Sequence, residues 1–310
     1  MSFKNKRVFV SGGAGVIGTA LVNALKYAGA DLFVGDLKPK PKAWSFLENY
    51  REGDLITLDK KELLDFQPEF FFHLAATFER SEETYDFWEE NYHHNIALSH
   101  HLMTVLKEMP SLKTIVFASS YLIYNPHLYL FPKAQSQTIP LKESDPVAPR
   151  NLCGMAKLLH EQELMFIKKF RPDLQVINAR IFRSYGKNSR DIISRWIGAL
   201  LKGEKLTVYR PEGRFDFVYA EDIAAGLMLL ARTPFSGIVN LGSGRSRSIA
   251  EVIELLKTHF GTLSYITTET GIPYETSQAD MTLFQKLTGN QRPFRPIEQT
   301  LPEIIKALQE

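Results

Sequence analysis

Residues 11–18 read SGGAGVIG, and they decide the fold. The apolar run RVFVS (7–11) leads into them and a helix-patterned stretch follows, so the glycines sit where a strand turns into a helix. Gly13, Gly15 and Gly18 satisfy G-x-G-x-x-G, and Gly12, Gly15 and Gly18 satisfy G-x-x-G-x-x-G. Without a Cβ the chain can bend tightly there and approach a pyrophosphate, whose charge the amides and positive end of the helix then meet. Val16 and Ile17 carry the loop into that helix. A second apolar run, DLFVG (31–35), ends at Asp36 and Leu37, the spacing at which a carboxylate meets the ribose hydroxyls of an adenine dinucleotide. A carboxylate there repels a 2′-phosphate, so the pattern points to NAD rather than NADP. Lys38, Lys40 and Lys42 pull the other way unless they belong to a solvated loop.

The same alternation continues outward. DLITL (54–58), FFFHL (70–74), KTIVFAS (113–119) and LQVINAR (174–180) read as further strands, with helices expected over about 82–109 and after Pro149. Strands alternating with helices predict an α/β fold, a doubly wound parallel sheet. After about residue 186 the rhythm loosens into a helix, short strands around LTVY and FDFVY, and the run GIVNLG. We therefore expect residues 1–180 to form a nucleotide-binding domain and 181–310 mainly a smaller substrate-binding lobe, with 216–244 partly returning to the main sheet. The proline-rich stretch 125–149 reads as a surface loop beside a site.

Composition narrows the function classes. The 310 residues carry 37 Lys and Arg against 35 Asp and Glu, a net +2, which gives no reason to expect nucleic acid or an anionic membrane as partner. No apolar run is long enough to span a bilayer. A single cysteine permits no intrachain disulfide. The start MSFKNKR lacks the apolar stretch of a signal peptide, so a cytoplasmic location is expected.

Further motifs fall in order at the intervals of one family. Besides the glycine loop these are Asp54-Leu55, HLAA (73–76), Asn95, FASSYLIYN (117–125), ARIFRSYG (179–186), DFVYAED (216–222) and NLGSG (240–244). Together they resemble the extended short-chain dehydrogenase/reductases, NAD-dependent enzymes that include nucleotide-sugar epimerases, dehydratases and reductases. The resemblance implies a Rossmann-like fold, adenine against Asp54 and Leu55, and cofactor contacts from Leu74, Ala75 and Ala76. It implies a catalytic Ser or Thr at Ser120 and a lysine, Lys157, holding the nicotinamide ribose. It also implies a homodimer built on the helices around 82–109 and 150–170. Tyr121-Leu122 stand where sugar 4,6-dehydratases of the family carry Asp-Glu, which disfavours that elimination.

One position departs from the family. Its pattern is Y-x-x-x-K, with the lysine lowering the phenol's pKa so that it can take a proton from the sugar hydroxyl. Four residues before Lys157 this chain has Cys153. Three roles are open. Cys153 is itself the base, which suits a thiol of ordinary pKa about 8.5 but not its reach, roughly 4 Å shorter than a phenol's. Or the relay passes to Ser120, Tyr121 or water. Or Cys153 is a small buried filler and turnover is lost, leaving a binding or regulatory protein.

The arginines of the second half suggest a diphosphate site, because a guanidinium donates paired hydrogen bonds to phosphate. Arg183 stands where the family often has Asn; Arg190 and Arg214 follow. The expected substrate is a nucleotide-diphosphate sugar, transformed by hydride transfer as in an epimerase or sugar dehydrogenase. His93, His94, His100 and His101 share one predicted helix, on which neighbours diverge, so no metal site is expected.

Overall fold

The computed structural model describes residues 3–80, 82–268, 270–291 and 294–309. In the first half, β1 (Arg7–Ser11), β2 (Asp31–Asp36), β3 (Asn49–Glu52), β4 (Phe70–His73) and β5 (Thr114–Ser120) alternate with α1 (Val16–Tyr27), α2 (Lys60–Phe66), α3 (Tyr85–Asn91) and α4 (Leu98–Leu106). Next come the short β6 (Leu130–Phe131), the long α5 (Leu152–Phe170) and β7 (Gln175–Ile181). The chain continues through β8 (Arg183–Tyr185), α6 (Ile192–Leu201), β9 (Leu206–Tyr209), β10 (Arg214–Phe215), β11 (Phe217–Tyr219), α7 (Ala220–Leu230) and β12 (Gly237–Leu241). It ends with β13 (Arg247–Ser248), α8 (Ile249–Phe260), β14 (Tyr265–Thr268), β15 (Tyr274–Glu275), α9 (Thr282–Thr288) and α10 (Ile297–Gln309).

Seven strands form one parallel sheet in the order β12–β7–β5–β4–β1–β2–β3. The order reverses between β1 and β4, and in such sheets ligands bind in the crevice beyond the strand ends at that reversal. Register places Ser11 beside Gly35 on one side and His73 on the other, so the glycine loop, Asp36 and residues 74–76 meet at one edge. Helices cover both faces, and β1 shows why: Val8 and Val10 join one apolar cluster with Leu21 and Leu227, while Phe9 joins another with Phe71, Leu102 and Leu164. That is the strict alternation of a strand buried on two sides. A third cluster, with Tyr185, Trp196, Ile253 and Leu301, is the core of the later elements. None of the described helices is long and apolar enough to cross a membrane.

Two local expectations change. DLITL is no strand: Gly53 takes φ +108, and Asp54 then caps a 3-10 turn, Leu55–Thr57, by accepting from the Ile56 amide at 3.0 Å. The third strand lies just upstream, at Asn49–Glu52. The helix expected over 82–109 is present from Tyr85 to Leu106 but widens into a π-helical turn at Tyr92–Ala97.

Candidate functional site

The turn from β1 into α1 is closed by backbone contacts. The Gly12 amide donates to the Gly35 carbonyl at 2.7 Å, and Leu74 donates to Ser11 at 3.0 Å. Gly12 has φ +74, and a Cβ on it would lie 2.5 Å from the Ala75 nitrogen; a Cβ on Gly18 would lie 2.1 Å from the Gly12 oxygen. Both glycines are therefore required by close approach. Gly15 caps α1 without a side-chain hydrogen bond, and the first turn, which includes Val16 and Ile17, holds no acidic residue. The amides at that helix end are thus left to an anionic ligand. Asp36 is buried; its carboxylate accepts from Ala14 at 2.8 Å and Lys38 at 2.9 Å, one bond to each oxygen, so each oxygen keeps capacity for a hydroxyl. Leu37 beside it is exposed. Leu55 packs on the Gly35 backbone, and Ala76 continues the edge. The residues present fit a dinucleotide.

At the end of β5, Ser120 caps the 3-10 turn Tyr121–Ile123, its oxygen accepting from Leu122 at 3.2 Å. Lys157 lies on α5, donates to the Ala118 carbonyl at 2.8 Å and sits 4.7 Å over the Phe117 ring. Burial lowers this ammonium to about 8. Cys153, one turn earlier, is 4% exposed, with its sulfur 3.8 Å from the Asn95 amide nitrogen and 3.9 Å from the Thr77 carbonyl. Burial pushes the thiol up to about 12 even with Lys157 nearby, so it stays protonated at neutral pH. Tyr121, offered above as a relay member, is also withdrawn from solvent. Its ring stacks on Phe182 with centroids 5.0 Å apart, and its hydroxyl donates to Glu275 at 2.7 Å. Burial lifts this phenol well above its ordinary range, so the structure presents it as a fixed donor, not as a base. Of the polar groups proposed for the relay, Ser120 remains partly open.

Beside this turn lies a compact ion cluster of which the sequence singled out only Arg183. Arg150 pairs with Glu275 at 2.8 Å and Glu79 at 3.1 Å; Arg183 pairs with Glu79 at 2.8 Å and Glu275 at 3.5 Å. Asn151 caps α5 through its oxygen and donates from its nitrogen to Glu79 at 2.9 Å. Arg150 and Asn151 stand two or three residues before Cys153, where their nearness in sequence was a usable signal. Glu275 gave none, being 125 residues from Arg150.

The three expected phosphate ligands therefore differ. Arg183 is committed to two carboxylates, and Arg214 pairs with Glu251 at 3.0 Å. Arg190 lies 5.9 Å from the Phe78 ring and has no ion pair among the described residues. The histidines also differ from expectation. The π-helical turn brings His93 and His94 together, ring centroids 4.7 Å apart, and with Asp54 their ligand atoms lie within 4.8 Å of one another. His93 Nε2 is hydrogen-bonded to the Asp54 carboxylate at 2.5 Å, so these donors already satisfy one another, and Asp54 also stands where adenine was expected.

Residues 8–242 match the NAD dependent epimerase/dehydratase family. The UDP-glucuronic acid decarboxylase 1 of Danio rerio is 28% identical over 273 residues, 84% of this chain and 62% of that protein. The chain thus spans about three fifths of the length of that curated relative. Among solved structures, the UDP-N-acetylglucosamine 4-epimerase of Methanobrevibacter ruminantium, in complex with UDP-N-acetylmuramic acid, superposes with TM-score 0.82 at 25% identity, covering 99% of both chains. MoeE5 in complex with UDP-glucuronic acid and NAD gives 0.82 at 26% identity, covering 97% of this chain and 98% of that one.

Proposed function

The chain belongs to the NAD-dependent epimerase/dehydratase family, and we propose that it binds NAD and transforms a nucleotide-diphosphate sugar by hydride transfer, as an epimerase or sugar dehydrogenase. The observation that carries this reading is the glycine cradle at the sheet's reversal point, with uncapped α1 amides facing the crevice and the Asp36 carboxylate beside it. Bound NAD supplies a hydride acceptor. Asp36 holds the adenosine ribose, and Leu74, Ala75 and Ala76 line the cofactor edge. Lys157 holds the nicotinamide ribose, and its ammonium near neutrality favours negative charge forming close by. Ser120 hydrogen-bonds the sugar hydroxyl that loses its proton, and water carries the proton away, because neither Cys153 nor Tyr121 is ionised at neutral pH. Arg190 is the arginine available to the diphosphate. The assembly is a homodimer and the location cytoplasmic.

A second reading has a specific observation in its favour. With the thiol protonated and the phenol locked, the site lacks an ionised acid/base at the family's tyrosine position. A cofactor-holding regulatory protein would need nothing more. Single-turnover measurement of NADH absorbance with a panel of nucleotide sugars separates the two. The enzyme reading expects a transient in the wild type and a loss on the order of 10²-fold in Ser120→Ala. NAD binding without any transient across the panel leaves the regulatory reading. NADP binding more tightly than NAD would remove the role given to Asp36.

A further inference from the structure

The ion cluster beside Cys153 is built asymmetrically. Glu275 is fixed: its side chain is 7% exposed, and one of its oxygens accepts from the Tyr121 hydroxyl at 2.7 Å and the Ser277 hydroxyl at 2.8 Å while the other meets Arg150. Glu79 is 26% exposed and comes from residues 74–80, which have no regular structure. Its carboxylate takes three side-chain hydrogen bonds, from Arg150 at 3.1 Å and Asn151 at 2.9 Å on one oxygen and from Arg183 at 2.8 Å on the other. The 19-residue helix α5 begins beside it, but its first-turn amides are taken elsewhere, Leu152 donating to Glu83 at 2.9 Å and Gly154 to Asn151 at 2.8 Å. Two guanidiniums and a side-chain amide around one planar anion make a seat with the geometry of a carboxylate receptor.

The seat adjoins the chemistry. The Thr77 carbonyl, two residues before Glu79, touches the Cys153 sulfur, and Tyr121 follows Ser120 directly. The seat therefore lies beside Ser120, where the proposed function puts the reacting sugar hydroxyl. The charges explain who can sit there. With Glu79 in place, two arginines meet two carboxylates. If Glu79 turns out to solvent, one positive charge is unmatched in a half-buried place, a costly state unless another anion enters. A neutral sugar leaves Glu79 where it is.

We infer that Arg150, Asn151 and Arg183 form the seat for a carboxylate on the sugar, so that the substrate is a uronic-type nucleotide sugar and Glu79 is the internal anion it displaces. This rests on the nucleotide-sugar reading above and deepens it. The test is calorimetric titration of the NAD-loaded protein with two matched pairs, UDP-glucuronate against UDP-glucose and GDP-mannuronate against GDP-mannose. The expected result is at least tenfold tighter binding of the acid in one pair. Glu79→Gln, which keeps shape but removes the competing charge, is expected to raise that preference about tenfold further, and Arg183→Met to bring it near unity, with circular dichroism confirming that each variant is folded. Equal or tighter binding of the neutral sugar, with no change in Glu79→Gln, overturns the carboxylate seat and leaves the nucleotide-sugar reading standing. Binding of NAD but of none of the four ligands overturns both.

Discussion

At the scale of single residues, the Cys153 and Lys157 pair decides how the site handles protons, and burial acts on the two in opposite directions. For Lys157 the folded value, about 8, lies below the unfolded 10.5. The unfolded chain therefore binds more protons between those values, and folding is favoured as pH rises through that window. The penalty for burying the ammonium is full below about 8 and vanishes above about 10.5. Lys157→Met in the NAD-free protein is expected to melt at a higher temperature than wild type at pH 7, with the difference shrinking as pH rises to 10.5; a pH-independent difference would mean that Lys157 is solvated. Cys153 behaves in the reverse sense, its thiol raised to about 12. We expect iodoacetamide at pH 8 to modify native Cys153 at least about a hundredfold more slowly than the denatured chain, read by intact mass. Rapid native alkylation would restore the thiol as a candidate base.

At the scale of elements, legibility followed the range of the interactions. The turn from β1 to α1 was readable because glycine spacing, the preceding strand and the following helix all lie within a short local stretch and obey local sterics. It carries its own test. A methyl on Gly18 would lie 2.1 Å from the Gly12 oxygen, a backbone atom that cannot rotate away, so Gly18→Ala should cost NAD affinity on the order of tenfold or more while far-UV circular dichroism stays that of a folded protein. Unchanged affinity would show that the cradle relaxes and is not the binding element. DLITL was misread because its β-branched and apolar letters resemble a strand, while the deciding contacts are the cap by Asp54 and the positive φ of Gly53. The π-helical turn at 92–97 left no mark in the apolar periodicity, and so the meeting of His93 with His94 was hidden. Glu275 joins the site only through tertiary folding, since it lies on β15, which pairs with the sequence-distant β6. Tyr121 and Arg183 were found by position; their partners, which decide their roles, were not.

At the scale of the whole molecule, the helices flanking the site leave one face unaccounted for. Tyr85, Trp88 and Tyr92 recur at helical spacing and are all more than half exposed, their rings stepping along the surface 6.2 and 6.4 Å apart. On α5, Met155, Leu159, Phe166 and Phe170 form a matching stripe, each also more than half exposed. Ile96, Leu159, Met165 and Phe166 line a groove of about 560 Å³ between the two helical segments. Monomers rarely leave contiguous apolar patches of this kind in water. A second copy related by a two-fold axis would lay the same stripes against each other, since such an interface is self-complementary by symmetry. The same helix α5 carries Cys153 and Lys157, so covering its outer face also fixes the wall of the site. We expect light scattering at about 10 µM to give the mass of two chains, and Leu159→Arg with Phe166→Asp to give the mass of one. Because both side chains are exposed, the double variant should keep its far-UV spectrum. Its NAD affinity should fall modestly as α5 loses its support, whereas a wild type that scatters as a monomer would mean that this face has some other partner.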